Sequence, residues 1–224
     1  MKIESNLNGV IIVRQAPAGA KLTWNEVSPF KDEYEIEYSF NIFRALRKRD
    51  NGILISYGDE EQGVIELYLP IREGVENISL SGQARVVLDL DKSIPIIEVN
   101  SSGQGSVIIK NQVTGVYGNL SGQSSIFFPN ATDCQISISG QSSLTAVRAS
   151  SIKARVSGQS QISVVEEAGH VSLSLSGQSR AVLSGNIDYI SGEIIGGSQL
   201  IILGKVRKMG DLYTQSGSVT TIKN

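Results

Sequence analysis

The chain has 224 residues, a net charge of −2 at pH 7 and a single cysteine. Its length suits one long domain or two small ones. The near-neutral charge excludes a strong general attraction to nucleic acid or anionic membranes, and one cysteine excludes an intrachain disulfide and a thiolate zinc cluster. Aromatic residues make up only 6% of the chain, which is consistent with a thin core of Val, Ile and Leu.

Residues 1–75 are predicted to form short strands without an internal repeat. Alternating apolar and polar residues, bounded by turn signals, predict strands over several segments: Gly9–Val13, Ala20–Trp24, Tyr34–Phe40, Ile53–Tyr57 and Val64–Leu69. Ile42–Arg49 carries a basic cluster and is predicted to be one helical turn or a loop. We interpret its charges as paired with Asp59–Glu61 across a hairpin at Asp50–Gly52.

Val64–Leu69 leads into the repeats without a flexible linker. We therefore expect residues 1–75 to be an N-terminal β-strand region or cap that is continuous with a solenoid over residues 76–224. Such a cap would cover the unpaired N–H and C=O groups that an open coil presents at the end of a stack.

The phrase Ser-Gly-Gln recurs six times after residue 80, and its glycines are 18 to 21 residues apart. Degenerate copies follow around Gly196 and Gly217. A repeat of this period in a chain rich in Val, Ile and Ser indicates a solenoid. The predicted fold is all-β: a single-stranded parallel β-helix or β-solenoid with about seven to eight coils of 18–21 residues, preceded by irregular N-terminal strands.

The alternation inside each repeat predicts which side chains face the core. In the fourth copy, Ile138, Gly140, Ser142 and Leu144 share one parity and are expected to point inward. We therefore expect the repeat glycines to lie on the inner side and to supply the backbone freedom for a sharp bend. These glycines are Gly82, Gly103, Gly122, Gly140, Gly158, Gly177 and, in the seventh copy, Gly196 rather than Gly197.

The glutamine of each phrase is expected to face outward. Since coils stack at the strand spacing of about 4.7–4.9 Å, the six side chains would lie above one another and could hydrogen-bond along the axis. They are Gln83, Gln104, Gln123, Gln141, Gln159 and Gln178. The alternative is that they form only a soluble exterior of the strands.

The segments between the repeats vary in length and are predicted to be turns: Asp89–Lys92, Lys110–Gly115, Pro129–Asp133, Arg148–Ser151, Glu166–Gly169 and Gly185–Asp188. Variable turns on a fixed scaffold are where binding residues concentrate. We expect Cys134 to be a turn or semi-buried thiol, His170 a surface residue, and Phe127 to face outward beside an inward Phe128. No metal or cofactor site is predicted.

Several of these features together resemble one family. They are a strand ending near Leu69, then Val75–Leu88 with the phrase at Ser81–Gln83, and the repeated apolar-Ser-Gly-polar strands. In these features the chain is similar to the bacterial auto-transporter adhesin head GIN domain family, which typically has Gly-Ser-Gly where this chain has Ser-Gly-Gln. The resemblance covers most of the chain and implies a β-solenoid, often exported, of unknown biochemical role, with no catalytic residues.

The repeat and the polar ladder favour a non-enzymatic structural or interaction module that binds a protein or a polysaccharide surface. Formation of a homo-oligomer extends this hypothesis. One alternative is a polysaccharide-acting β-helix enzyme, for which the nearest acidic and basic candidates are Arg85, Asp89, Asp91 and Glu98. Another is a binder of an ordered surface through the Ser, Thr and Gln face.

The chain shows no N-terminal run of the signal-peptide kind, because the apolar run Val10–Val13 is too short. It also lacks the roughly 18 consecutive apolar residues of a membrane-spanning helix. We expect a cytoplasmic protein by default. The alternative is an exported or cell-surface protein whose leader has been removed.

Overall fold

The computed structural model describes residues 2–5, 9–15, 23–26, 36–40, 43–49, 52–57, 63–69 and 75–223, and the side chains of residues 3, 10–12 and 75–223. Regular structure in these ranges is entirely β-strand. The strands are β1 Lys2–Ser5, β2 Gly9–Gln15, β3 Thr23–Glu26, β4 Ile36–Phe40, β5 Phe43–Arg49, β6 Gly52–Tyr57, β7 Gly63–Leu69, β8 Asn77–Leu80, β9 Arg85–Asp89, β10 Ile94–Ser101, β11 Ser106–Ile109, β12 Gln112–Leu120, β13 Ser125–Ile138, β14 Ser143–Val156, β15 Gln161–Leu175, β16 Arg180–Leu183, β17 Asn186–Ile194, β18 Gln199–Ile202, β19 Val206–Thr214 and β20 Val219–Ile222.

From β8 onward each strand pairs in parallel with the equivalent strand of the next coil. The chain therefore winds into a β-solenoid of about eight turns, which confirms the predicted fold class. Each coil has three faces, illustrated by β13. Ser125–Pro129, directly after a Ser-Gly-Gln phrase, lies on face 2. Residues 130–132 form the short face 3, and Asp133–Ile138, before the next phrase, lies on face 1.

The first strands of the chain are inserted within the stack. β1 pairs in parallel with both β6 and β8, and β2 pairs in parallel with both β7 and β9. The spatial order of the strands therefore differs from their order in the sequence, because β6 and β7 lie outside β1 and β2. Ile3 and Ile11 are fully buried in the core that the repeats continue.

Antiparallel strands lie beyond this point. β3 pairs antiparallel with β7, β5 pairs antiparallel with β6, and β4 pairs antiparallel with β5. These pairings occupy the outer edges of β6 and β7, so the parallel stacking ends there. Phe43–Arg49 is thus a strand, and the prediction of a helical turn or loop over Ile42–Arg49 was wrong. The segment lacks an alternating apolar pattern, but antiparallel pairing with β6 supplies hydrogen-bond partners for its backbone. The proposed contact with Asp59–Glu61 lies outside the described residues.

The core is a column of aliphatic side chains that repeats in every coil. In β13 the inward residues are Ile126, Phe128, Ala131, Cys134 and Ile136, all at most 6% exposed. The spacing changes from two residues to three at Ala131 and again at Cys134, and these two places are the corners of the coil. The outward position of Phe127, at 36% exposure, and the inward position of Phe128 are confirmed.

In the middle of the solenoid the segments predicted to be turns are extended. β13, β14 and β15 run through both corners as continuous strands of 14, 14 and 15 residues. The prediction of turns at Pro129–Asp133, Arg148–Ser151 and Glu166–Gly169 was therefore wrong. Each corner needs only one extra residue, and its backbone still pairs with the neighbouring coils. The chain does leave strand geometry between β9 and β10, β11 and β12, and β16 and β17.

The repeat glycines do not point inward as predicted. Gly82 and Gly103 are half-buried, and Gly122, Gly140, Gly158, Gly177 and Gly196 are exposed. The alternation fails because Ser-Gly-Gln is a turn that joins face 1 to face 2. Burial resumes one residue after the phrase, where Ser124, Ser142, Ser160 and Ser179 are each 1% exposed.

Candidate functional site

The repeated turn has the same geometry in successive coils because its backbone is hydrogen-bonded along the axis. The N–H groups of Gln141, Gln159 and Gln178 donate to the carbonyl oxygens of Gly122, Gly140 and Gly158, each at 2.8 Å. The glycines of these coils have φ between +72° and +75° from Gly122 to Gly177, a region that L-residues with a Cβ atom rarely adopt. At Gly82 and Gly103 the chain bends without this positive φ.

The glutamine side chains form a ladder over four coils. Gln123 Nε2 donates to Gln141 Oε1 at 3.1 Å, Gln141 Nε2 to Gln159 Oε1 at 3.2 Å, and Gln159 Nε2 to Gln178 Oε1 at 3.4 Å. Gln83 and Gln104 hold the same exposed position in the two preceding coils. The amides thus already bond to one another, which leaves a regular but partly self-satisfied polar ridge.

A column of buried serines lies behind this ridge. Ser124 Oγ lies 2.7 Å from both Ser101 Oγ and Ser121 O, and Ser179 Oγ donates to Val156 O at 3.1 Å. Ser160 Oγ is buried and, within the described part of the chain, has no hydrogen-bond partner. Small side chains are needed at this point because faces 1 and 2 approach each other next to the turn.

A groove of about 550 Å³ lies on face 3. It crosses β12, β13, β14, β15 and β17, and four strand spacings make it about 19 Å long parallel to the solenoid axis. Amide, hydroxyl and charged side chains line it, among them Gln112, Asn130, Thr132, Arg148, Ser150, Glu167, His170 and Asp188. Every one of these except the half-buried Asn130 is exposed.

The groove exists because the inward residues beneath it are small. Val113 and Ile187 occupy the inner position of face 3 at its two ends, whereas Ala131, Ala149 and Ala168 occupy it between them. With only a methyl group inside the corner, the chain can sit closer to the axis there. Three successive alanines therefore produce a concave wall.

Charges in the groove are partly compensated. Arg148 Nη2 lies 2.5 Å from Glu166 Oε2 at one rim. At one end of the groove, the ring centroids of His170 and Tyr189 are 5.8 Å apart, and Lys208 Nζ lies 5.9 Å from the Tyr189 centroid. The groove thus combines neutral hydrogen-bonding groups with the exposed ring of His170, and Tyr189 packs beside that ring outside the groove lining. The predicted surface position of His170 is confirmed.

Asp133 anchors the border between faces 3 and 1. Tyr117 Oη and Gln135 Nε2 each donate to Asp133 Oδ2 at 2.9 Å. Burial raises the pKa of the Asp133 carboxyl, but hydrogen bonds from Gln135, Tyr117, Ser151 and the Cys134 N–H outweigh it and lower the pKa below its ordinary value. This carboxylate is held in the ionised form by its neighbours.

Cys134 is fully buried, so the expectation of a turn or semi-buried thiol was wrong. Its side chain occupies a core position of β13, in step with inward Ile136 and Ile138, because the strand continues through the corner. Burial, followed by the charge of Asp133, raises the pKa of the thiol to about 12. At neutral pH the group is a protonated core residue.

The residues considered for an enzyme do not converge. Arg85 and Asp89 lie on face 2, where Asp89 Oδ2 is 2.8 Å from Lys110 Nζ. Glu98 lies on face 1 and accepts hydrogen bonds from Asn77 at 3.0 Å and from Asn100 at 2.8 Å. Asp91 is exposed in the bend between β9 and β10. Across the described ranges, no group of three or more His, Cys, Asp or Glu side chains is placed to share a metal ion.

Comparison with known proteins adds no assignment: no family model, no curated protein and no solved structure matches the chain. The resemblance to the GIN domain family stays a prediction. The described residues include no helix that is long and apolar enough to cross a membrane.

Sequence reasoning did not identify the groove as such. Its lining residues come from segments that were singled out as variable turns suited to binding, and from the adjoining His170. The segments are Lys110–Gly115, Pro129–Asp133, Arg148–Ser151, Glu166–Gly169 and Gly185–Asp188. The sequence feature that could have indicated the groove is the alanine inside three successive segments, at Ala131, Ala149 and Ala168. This feature could not be interpreted from the sequence, because only the geometry of the corners shows that these alanines face inward.

Proposed function

We propose that the protein is a non-enzymatic binding module that holds an extended, hydroxyl-rich polymer, a polysaccharide, along the face 3 groove. The observation that carries this proposal is the direction of the groove, which runs parallel to the solenoid axis across five strands. A ligand lying in it would meet equivalent polar positions at each strand spacing of about 4.8 Å. That arrangement favours an extended repeating ligand over a compact small molecule.

The chemistry of the lining supports the same proposal. Asn130 and Gln112 offer both donors and acceptors, and Thr132 and Ser150 add hydroxyl groups. Arg148 is compensated by Glu166, so that part of the groove does not require a strongly charged ligand. The exposed His170 ring, held beside Tyr189 at one end of the groove, provides a surface against which the apolar side of a sugar ring can pack.

Affinity gel electrophoresis tests the proposal. The purified chain is run in gels that contain hydroxyethyl cellulose, xylan, galactomannan or glycol chitin, beside gels without polymer. We expect at least one polymer to slow the protein, and Ser150→Trp, which places a large ring in the groove, to abolish the retardation.

Ser174→Trp is the matched control, because Ser174 is also an exposed strand serine but lies on face 1. It should be retarded as the unaltered protein is. Unchanged mobility in every polymer would contradict the proposal, and so would equal loss of retardation in both tryptophan variants.

A further inference from the structure

The outward surface of face 2 is notable because six of the nine residues in its central row are apolar. The row runs in register through the parallel strands as Ile12, Val87, Ile108, Phe127, Thr145, Ser163, Val182, Ile201 and Thr221. Beside it Val165 is 46% exposed and Leu203 45% exposed. Thr145, Ser163 and Thr221 interrupt the row with small hydroxyl side chains, but the row contains no charged residue. An exposed surface with this much apolar character marks an interaction site.

Face 1 offers an internal comparison, since it has the same strand architecture but carries amide and charged side chains at most of its outward positions, with Ile96, Met209 and Tyr213 as exposed apolar residues. Its outward positions include Asn77, Glu98, Asn119, Lys153 and Arg155. Solubility and strand geometry act on both faces alike, so they do not explain the apolar row of face 2. A contact that covers face 2 does explain it.

We propose that a second copy of this chain packs its face 2 against face 2 of the first, related by a two-fold axis. Such a contact places the same surface on both sides, so a charged residue near the axis would meet its own copy. The three central strands of face 2, Ser125–Pro129, Ser143–Val147 and Gln161–Val165, contain no charged residue. The equivalent central part of face 1 contains Lys153 and Arg155.

The size of the face fits a specific but modest contact. Nine strands, with eight spacings between them and about five residues each across the face, cover about 38 Å by 16 Å at the usual strand dimensions. Two such faces would bury about 1,200 Å² in total, the lower end of the range for specific protein interfaces. The dimer is therefore expected to dissociate on dilution.

Sedimentation and light scattering of the full chain over a concentration series test this inference. The expected mass rises from 24.0 kDa to twice that value and then levels off. Thr145→Arg puts like charges next to the axis and should leave a monomer at every concentration, with an unchanged circular dichroism spectrum. Phe127→Ser, a milder change, should shift the midpoint of association to a severalfold higher concentration.

Ser174→Arg on face 1 is the control and should dimerise normally. A two-fold axis at the centre of face 2 brings Thr145 of both copies together, so Thr145→Cys should be linked by a short bis-maleimide while Ser174→Cys is not; buried Cys134 does not interfere. A mass of 24.0 kDa throughout would overturn the inference. Association that persists in Thr145→Arg, or capture of a different protein in place of a second copy, would overturn it as well.

Discussion

A Cβ atom built on Gly158 would lie 2.7 Å from the carbonyl oxygen of Gly140 in the preceding coil. That distance is shorter than real Cβ contacts, and the neighbour is backbone that is itself hydrogen-bonded to Gln159. Gly158 also has a φ of +72°. Two independent restrictions, the close approach of the Gly140 carbonyl and the left-handed backbone, therefore exclude a side chain at this position. The glycine is required by the stacking of the turns, not by a lack of space in the core.

We expect Gly158→Ala to lower the free energy of unfolding by about 2 kcal/mol or more, from the left-handed backbone and the clash together. Gly217→Ala is the matched control, since Gly217 has a φ of +87° but no atom within 4 Å of the added Cβ. It should lose only the backbone component, about 1 kcal/mol. Urea unfolding of both variants measures the two losses in the free energy of unfolding. Equal losses in the two variants would contradict a role for the stacking of the turns.

The buried serine column predicts opposite effects of one substitution at two positions. Ser124 Oγ is hydrogen-bonded, so Ser124→Ala should destabilise the protein by roughly 1 kcal/mol. Ser160 Oγ is buried and has no hydrogen-bond partner among the described residues, so Ser160→Ala removes an unsatisfied polar atom and should be neutral or stabilising by up to about 1 kcal/mol. Thermal midpoints compare the two directly. A loss at Ser160 as large as that at Ser124 would show that Ser160 is hydrogen-bonded in solution.

The glutamine ladder should contribute little to stability despite its regularity. Gln141 bonds to Gln123 and Gln159, but all three amides are exposed and exchange these bonds for water when one is removed. We expect Gln141→Ala to cost less than about 1 kcal/mol and to leave polymer binding intact. Gln161→Ala, on an exposed glutamine outside the ladder, serves as the control in urea unfolding. A loss of several kcal/mol at Gln141 alone would mean that the ladder is a cooperative structural unit.

The buried thiol predicts a loss of stability at alkaline pH. The pKa of Cys134 is raised from its ordinary value of 9.0 to about 12, so below pH 9 the thiol is protonated in both folded and unfolded chains. Above pH 9 only the unfolded chain ionises, and the free energy of unfolding should fall by up to about 1.4 kcal/mol per pH unit until the folded thiol ionises as well.

Cys134→Val keeps an apolar core residue and should remove that part of the pH dependence between pH 9 and 10.5, as measured by urea titration at several pH values. In the folded protein the thiol should also fail to react with an aromatic disulfide reagent at pH 8, and react once urea unfolds the chain. Rapid reaction without urea would contradict the buried position.

Prediction from sequence succeeded where two-residue alternation holds and failed where it is interrupted. The parity of β13 correctly separated outward Phe127 from inward Phe128, and the same pattern correctly placed Ser142 inside. It misplaced Gly140, because the three-residue turn between two faces points this residue outward while Ile138 and Ser142 on either side of it stay buried. Cys134 was misplaced because Pro129–Asp133 before it was predicted to be a turn, whereas β13 continues through that segment.

The arrangement of the first 69 residues could not be read from local patterns. The insertion of β1 between β6 and β8 depends on which distant strands pair. The alternation of apolar and polar residues identifies a strand but does not indicate which strand it pairs with. The groove shows a similar limit. Its polar lining was recognised as variable, but its concave shape depends on three alanines whose inward direction follows only from the corners.

The most direct test of the proposed function is calorimetric titration of the chain with oligosaccharides of increasing length, prepared from whichever polymer retards it. We predict that affinity rises with length until the ligand covers the groove from β12 to β17, about 19 Å at four strand spacings, and then levels off. Ser150→Trp should abolish this rise. A single sugar unit that binds as tightly as the longest oligomer, or no binding at any length, would contradict a polymer held along the solenoid axis.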